Sequence, residues 1–341
     1  MGCAKQKEFA ATFKRSKHEA SVFVEENGKQ VKKKPDYEFH VGSTPYFFLE
    51  TKKPNVDIMA SKEAAFQTRR YGWNGNLEIS VLSNFTDLVI YDTSVRPNEN
   101  VKPSFAQVAH FHFTEYVDKF DEISRLLSYE TVVSGAFEKN FENISSSLKK
   151  EPFDKYFLSQ IKEWRLVLSE DIVKNNSTIN QETLNIFVQK LINRIVFLRI
   201  CEDRELEKYE SLKNIGTYAE LKKVFTVADK KYDSGLFELI DGEQFEISDS
   251  ILMHIFKELY YPNICYEFSI VDPFIIGQIY ELFLEEEIVI KDGIVVAERK
   301  PEIVDSQGVV NTPKNIADII VKTTLTPLFS DENLRNGIAI E

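Results

Sequence analysis

Cysteine is scarce in this sequence, and the few cysteines are far apart. The 341 residues contain three of them, Cys3, Cys201 and Cys265, without any Cys-x-x-Cys spacing. This distribution argues against a disulfide framework and against a zinc site with thiolate ligands. It is typical of proteins in a reducing compartment, so we expect a cytoplasmic location.

Long apolar runs and a nucleotide-binding loop are also missing. No hydrophobic stretch approaches the length of a membrane span, and the first residues are too polar and charged for a signal peptide. We therefore expect no association with a membrane. The sequence has no Gly-x-x-x-x-Gly-Lys-Ser/Thr segment, which argues against an ATP-driven motor.

Positive charge is in deficit over the whole chain but not near its start. The net charge is −12, yet residues 1–73 contain fourteen Lys and Arg against nine Asp and Glu, a net of +5 that leaves −17 for the remainder. A locally basic segment is where a phosphate backbone would bind. Taken one by one, the same cations equally fit a solvated surface. They are Lys29, Lys32, Lys33, Lys34, Lys53, Lys62, Arg69 and Arg70.

Two short predicted strands with charged ends lie within this basic segment. Residues 34–39 and 46–54 are rich in aromatic side chains and are separated by a Gly-Ser-Thr-Pro turn. Side chains alternate between the faces of a strand, so Glu50 and Lys52 point the same way. Pairing of the two strands as a hairpin would bring Asp36 beside Glu50.

The resulting patch of two carboxylates and one ammonium predicts a metal site. Two carboxylates that lie close together repel each other unless a cation lies between them. A site of oxygen ligands that is open to water suits Mg²⁺, which takes one or two carboxylates and keeps several waters. A lysine beside such a site can orient an attacking water and stabilise charge on a phosphate.

The residues that follow predict a compact α/β unit. A helix is expected over residues 57–72, with Ser61 as its cap and Gly72 as its end. Residues 77–82 and 88–92 predict two further strands. Together these elements predict a mixed sheet with flanking helices.

From residue 101 the apolar pattern takes the period of a helix. Residues 101–285 are expected to be largely helical, followed by a hairpin with its turn at residues 292–293. On a helix His110 and His112 would face apart, so they are not predicted to bind a metal together.

One predicted helix of this region carries a charged cluster inside very apolar sequence. Arg199 lies three residues from Glu202 and four from Asp203, so the arginine can meet both carboxylates on the helix. Carboxylates paired with arginine are held ionised rather than tuned for proton transfer. We therefore interpret the cluster as an ion-pair network that fixes packing.

Eight short segments of the sequence indicate a protein family more specifically than the composition does. They are residues 34–37 (KPDY), 48–54 (FLETKKP), 67–73 (QTRRYGW), 81–85 (VLSNF), 164–165 (WR), 194–204 (RIVFLRICEDR), 277–281 (GQIYE) and 308–313 (GVVNTP). With these segments the chain resembles the N-terminal part of type IIG restriction–modification enzymes. Members of that family join a nuclease, a helical connector and an adenine methyltransferase in one polypeptide.

The resemblance implies an α/β restriction-endonuclease-like core with a PD-(D/E)xK motif, followed by an all-α helical domain. It places the nuclease domain at residues 1–100 and the helical connector at 101–287. Residues 288–341 would be a linker and the start of a methyltransferase domain. No glycine-rich S-adenosylmethionine motif is present, so that cofactor is expected only in a full-length relative.

The resemblance also assigns roles to residues. It makes Asp36, Glu50 and Lys52 the nuclease triad and Gln67 the supporting residue on the following helix. The N-terminal helix of such domains often adds a carboxylate, for which Glu19 is the nearest candidate.

A mechanism follows as a hypothesis. Mg²⁺ is expected to be held by Asp36, Glu50 and the carbonyl oxygen of Thr51, beside a water that Lys52 positions. The predicted phosphate contacts are Lys34, Lys53, Gln67, Arg69 and Arg70.

Two classes of function stay open at this point. In the first, the chain cleaves double-stranded DNA, and a dimer on DNA would supply one active site for each strand. In the second, it is a catalytically silent scaffold derived from such an enzyme, which binds DNA or a protein partner. Mg²⁺-dependent cleavage distinguishes the first class from the simple salt-sensitive DNA binding of the second.

Overall fold

Most of the chain between residues 34 and 300 is described in this computed structural model. The described residues are 23–26, 29–32, 34–41, 44–142, 148–176, 178–238, 245–272 and 274–300, with five more between 316 and 324. Side chains are described from Lys34 onward, except at Glu142. Glu19 and the segment 308–313 lie outside the described residues.

Five strands form one mixed sheet. In spatial order they are β3 (Tyr37–Val41), β4 (Thr44–Thr51), β5 (Ile79–Ser83), β6 (Asp87–Asp92) and β7 (Gln107–His112). The β4–β5 pair is parallel, and the other neighbours are antiparallel. A separate antiparallel hairpin, β1 (Phe23–Glu26) with β2 (Lys29–Lys32), precedes the sheet. The predicted mixed sheet is confirmed.

Helix α1 (Lys62–Asn74) connects the two parallel strands. Its N-cap is Ser61, as predicted, because the hydroxyl of Ser61 accepts a hydrogen bond from the backbone N–H of Ala64 at 3.1 Å. Gly72 does not end the helix, contrary to the prediction. A Cβ atom at Gly72 would lie 2.2 Å from Oγ of Ser80, so the glycine allows α1 to approach the sheet closely.

The alternation of β4 places a buried phenylalanine on each face of the sheet. Phe48 packs under α1 with Tyr71. Phe47 lies on the opposite face, where it stacks on Phe39 and Phe137. Three short helices cover that opposite face: α2 (Phe120–Leu127), α3 (Tyr129–Val133) and α4 (Ala136–Glu142).

Strand β7 forms where the sequence predicts helical structure, which is expected from residue 101 onward. β7 pairs with β6, and Nε2 of His110 lies 2.7 Å from Oδ1 of Asp87. Because side chains alternate on a strand, His110 and His112 lie on one face rather than facing apart. A short apolar run such as this one fits a strand or a helix equally well from its period alone. The predicted boundary at residue 100 stays a prediction, and the sheet continues to His112.

Five longer helices and a hairpin form the helical region. They are α5 (Phe153–Asn175), α6 (Gln181–Asp203), α7 (Tyr218–Tyr232), α8 (Asp249–Lys257), α9 (Phe274–Glu285), β8 (Glu286–Lys291) and β9 (Ile294–Arg299). These elements share one large apolar core, and the predicted terminal hairpin is confirmed. Among the described residues, no helix combines the length and the apolar character needed to cross a membrane.

The charged cluster of α6 is buried inside this core. Arg199 Nη1 lies 2.6 Å from Oδ1 of Asp203 and 3.8 Å from Oε2 of Glu202. Glu202 accepts hydrogen bonds from the hydroxyls of Tyr260 and Ser211, both at 2.6 Å. The cluster therefore joins α6 to two loops, as its interpretation as a packing network predicts.

Candidate active site

The charged end of β4 lies opposite the residues that lead into β3. The strand register pairs Tyr37 with Leu49, so Asp36 and Glu50 are the next pair outward. Oδ2 of Asp36 accepts two hydrogen bonds from Thr51, one from its backbone N–H and one from its hydroxyl, both at 2.8 Å. The predicted hairpin therefore forms and holds Asp36 beside the end of β4.

A chain of hydrogen bonds runs from β4 to α1. Nζ of Lys52 donates to Oε1 of Glu50 at 2.8 Å and to Oε1 of Gln67 at 2.9 Å. Nε2 of Gln67 in turn donates to the hydroxyl of Tyr71 at 3.0 Å, which orients the amide with its oxygen toward the ammonium. The Glu50 side chain is 3% exposed and that of Lys52 is 25% exposed. Solvent therefore reaches this chain at the ammonium.

Tyr71 belongs to this chain of hydrogen bonds, although the sequence predicts no role for it. It lies four residues after Gln67, one helical turn away, which is the signal that could have identified it. Burial raises the pKa of Tyr71 well above its usual value, and the nearby Glu50 and Glu267 raise it further. The phenol is therefore protonated at neutral pH and is a fixed partner for the Gln67 amide.

The position of Lys52 follows from the parallel pairing of β4 and β5. The backbone N–H of Lys52 donates to the carbonyl of Ser83 at 2.9 Å, which continues the pairing one residue beyond the end of β4. The carboxyl ends of two neighbouring parallel strands thus meet at one edge of the sheet. Such edges are the usual place for ligand sites in open α/β sheets.

The two arginines predicted to contact phosphate are buried and bonded to backbone carbonyls. Arg69 donates to the carbonyl of Phe105 at 2.7 Å, and burial lowers its pKa. Arg70 donates to the carbonyls of Cys265 at 3.1 Å and of Tyr266 at 3.0 Å. Both guanidinium groups are therefore engaged within the fold, and their positions weigh against contact with DNA.

The two lysines of the same prediction are placed differently from each other. Lys53 is exposed in the loop after β4. Lys34 is half-buried and lines a cavity of 180 Å³ together with Asp203 and Arg204 of the helical region. Lys53 is therefore the more accessible of the two to a phosphate.

The donor atoms at this edge fit Mg²⁺ better than a metal with several side-chain ligands. Within the described part of the chain, no three His, Cys, Asp or Glu side chains cluster in a way that could hold a metal ion. The carboxylates of Asp36 and Glu50 and the carbonyl of Thr51 are hard oxygen donors of the kind that Mg²⁺ takes in small number, with water completing its shell. The residues present therefore suit this ion.

Comparison with known proteins gives the chain a relative of described function. It is 42% identical over 318 residues to the type II restriction enzyme and methyltransferase RM.Eco57I of Escherichia coli. The chain is a homologue of part of a restriction–modification enzyme. The matched residues are 90% of this chain and 32% of RM.Eco57I, and the chain corresponds to an N-terminal part of that protein. RM.Eco57I thereby confirms the resemblance predicted from the sequence. No protein-family model and no solved structure matches the chain.

Proposed function

We propose that this chain is the nuclease part of a restriction–modification enzyme and hydrolyses phosphodiester bonds of double-stranded DNA with Mg²⁺. The observation that carries the proposal is the hydrogen-bonded set of Glu50, Lys52 and Gln67 at the carboxyl ends of β4 and β5. RM.Eco57I supports DNA as the substrate, since it is a restriction enzyme by name. A five-stranded mixed sheet with helices on both faces is compatible with a restriction-endonuclease-like core.

Each residue of the site has a separate task. Asp36 and Glu50, with the carbonyl of Thr51, hold Mg²⁺, which when bound activates the phosphate and the attacking water. Lys52 holds that water and offsets the negative charge that develops on the phosphate oxygens. Gln67 keeps the ammonium of Lys52 at the sheet edge through its Oε1 atom.

Nicking of supercoiled plasmid in Mg²⁺ or in EDTA tests this function. We expect Mg²⁺-dependent nicking that Glu50→Gln and Lys52→Met each reduce by about 100-fold or more, since a preorganised charged group of an active site contributes at least that much. Glu63→Gln is the matched control, because Glu63 is an exposed carboxylate in the first turn of α1. It should cleave as the unmodified chain does.

The opposite result favours the scaffold. Folded protein that binds DNA in a salt-sensitive manner without cutting it would lack the proposed activity. Equal nicking by the unmodified chain and by Glu50→Gln would instead place the activity elsewhere or in a contaminant. Folding of each variant is checked by circular dichroism before its activity is compared.

A further inference from the structure

The turn between β5 and β6 presents an aromatic side chain to solvent from a strained backbone. Phe85 has φ +70°, in the left-handed region, and its side chain is 76% exposed. Residues other than glycine rarely adopt this conformation, and a bulky residue there is an outlier. Phe85 therefore combines unfavourable backbone geometry with an apolar surface left in water.

Hydrogen bonds hold the turn in this conformation. The backbone N–H of Asp87 donates to Oδ1 of Asn84 at 2.7 Å, and the hydroxyl of Ser83 donates to the carbonyl of Asp87 at 3.0 Å. The N–H of Phe85 donates to the Ser83 hydroxyl oxygen at 3.2 Å. The backbone that carries the ring is thus held by the surrounding polar groups, while the ring itself is exposed.

Neither feature of Phe85 helps the fold. An asparagine tolerates a positive φ better than a phenylalanine, and an exposed polar side chain avoids the cost of hydrating a ring. Strain that the surrounding structure maintains is characteristic of functional positions. The inference from such an outlier is that the ring makes a contact outside the molecule.

The turn lies directly against the candidate active site. Ser83, its first residue, accepts the backbone hydrogen bond of Lys52 at 2.9 Å. Nδ2 of Asn84 donates to the carbonyl of Val56 at 2.8 Å, in the loop that follows Lys52. A phosphate at Lys52 would therefore bring the neighbouring nucleotides next to Phe85.

A second exposed ring lies at the same edge. The backbone N–H of Phe113 donates to the carbonyl of Thr86 at 2.7 Å, and the Phe113 side chain is 54% exposed. The hydroxyl of Tyr116 reaches the carbonyl of Phe85 at 3.4 Å. The edge beside the predicted phosphate site is thus aromatic. Of the four cations predicted to contact phosphate, Lys53 is the exposed one.

We propose that Phe85 contacts the bases of DNA beside the cleaved phosphate, as a stacking or wedging side chain. Proteins insert apolar side chains between base steps, and aromatic rings stack on bases without regard to their identity. This inference rests on the proposed nuclease function. Phe85 would supply a contact to the bases, whereas Lys52 and Lys53 are directed at phosphate groups.

DNA binding without cleavage separates this contact from the chemistry. The full chain is titrated in EDTA into a short fluorescein-labelled duplex at several salt concentrations, and anisotropy gives Kd. We expect Phe85→Asn to weaken binding by about fivefold or more, the smaller end of a stacking contribution. The slope of log K against log salt should stay unchanged, because Phe85 carries no charge. Lys53→Ala is the comparison, since loss of one phosphate contact lowers the slope by about one.

A fluorescence reporter tests the placement of the ring directly. Trp73 and Trp164, the two tryptophans of the chain, are both buried. The indole introduced by Phe85→Trp is therefore the one that acrylamide quenches readily. We expect DNA to protect it from acrylamide and to shift its emission, while the unmodified chain shows neither change.

Two controls make the outcome decisive. Val227→Asn removes an exposed apolar side chain from α7, 66% exposed, and should leave Kd unchanged. The Tm of Phe85→Asn should equal or exceed that of the unmodified chain, so weaker binding cannot reflect unfolding.

Several results would overturn the inference. They are an unchanged Kd for Phe85→Asn, a loss of affinity accompanied by a changed salt slope, and an indole that DNA leaves open to acrylamide. A chain that does not bind DNA at all overturns it as well. A fifth is a dimer that Phe85→Asn converts to a monomer without affecting DNA binding, which would make the ring a contact between copies. Because these measurements need no cleavage, a chain that binds through Phe85 but fails to nick plasmid would refute only the proposed chemistry.

Discussion

The side chain of Thr51 has a task that differs from the one predicted for its carbonyl. The carbonyl is a predicted metal ligand, whereas the hydroxyl and the backbone N–H donate to Oδ2 of Asp36. Two such bonds favour the ionised form of a carboxylate and fix its direction. The hydroxyl can be removed without touching the carbonyl, so the two tasks can be separated.

Thr51→Val tests the task of the hydroxyl. The variant keeps the shape, the N–H and the carbonyl but loses one charge-assisted hydrogen bond, so the Mg²⁺ concentration for half-maximal nicking should rise by about tenfold. The measurement is a Mg²⁺ titration of plasmid nicking, with Thr51→Ser as the variant that retains the bond. An unchanged half-point would show that Asp36 needs no help from the hydroxyl.

At the residue scale, strand alternation predicts the acidic and basic groups but not their helical partners. Asp36, Glu50 and Lys52 follow from spacing because a strand has a period of two and a hairpin pairs residues in a fixed register. Tyr71 follows only from the helical spacing relative to Gln67, and the burial of Arg69 and Arg70 does not follow from spacing at all. Which side of a helix faces the site depends on what packs against its other sides, and those partners come from residues far along the chain.

The packing of helix α1 against the sheet positions Gln67. Gly72 lies at the closest approach, where a Cβ atom would also come within 2.6 Å of Cγ2 of Thr93. Ser80 belongs to β5, and Thr93 directly follows β6. The helix could accommodate a side chain there only by moving away from the sheet.

Gly72→Ala should therefore destabilise the protein and impair the site. Overpacking of a tight contact costs about 1–3 kcal/mol, which should appear as a lower urea midpoint. Gly277→Ala is the matched control, because a Cβ atom at that exposed position of α9 would have no neighbour within 4 Å apart from the adjacent residues and the backbone of its own helix. That substitution should stabilise the protein by about 0.5–1 kcal/mol, since alanine favours a helix interior. Equal changes in the urea midpoint for the two substitutions would contradict the close packing of α1 against the sheet.

At the element scale, long periodic segments are predictable and short ones are not. The helices α5 and α6 have strong periods and lie within the region predicted to be helical, and the terminal hairpin forms at its predicted turn. The sequence does not predict strand β7, because six residues are too few to separate the period of a strand from that of a helix. Gly72 predicts a helix end because glycine usually marks one. The glycine instead allows a close contact between α1 and a strand, which the sequence does not reveal.

At the scale of the whole molecule, α1 is shared by two cores. Its Tyr71 packs on the sheet with Phe48, whereas Trp73 lies in the large helical core and stacks on Tyr266 with 6.2 Å between ring centroids. Asn74 completes the junction by donating to the carbonyl of Cys265 and accepting from the N–H of Glu267, both at 2.8 Å. The helix that carries Gln67 is therefore held from both sides.

Arg70 and Glu267 form the ion pair of this junction, with Nη2 and Oε2 3.5 Å apart and both side chains buried. Glu267→Ala removes the counter-charge of a buried guanidinium, so we expect a loss of about 3–5 kcal/mol in the free energy of unfolding. Urea unfolding measures it when followed both by the fluorescence of Trp73 and Trp164, which lie in the helical core, and by circular dichroism, which reports on the whole chain. Coincident transitions by the two methods are expected if the two cores unfold together. Because Glu267 lies near Tyr71, whose hydroxyl holds the Gln67 amide, nicking should fall as well.

Lys213→Ala is the control for that experiment, since its pair with Glu210 lies on the surface of the helical region. Such an exposed pair contributes about 0–1 kcal/mol, so its removal should hardly move the urea midpoint. If Glu267→Ala cost no more than Lys213→Ala, the junction would not stabilise the molecule, and the sheet and the helical region would be independent. A large cost with unchanged nicking would mean that the junction joins the two cores without positioning the active site.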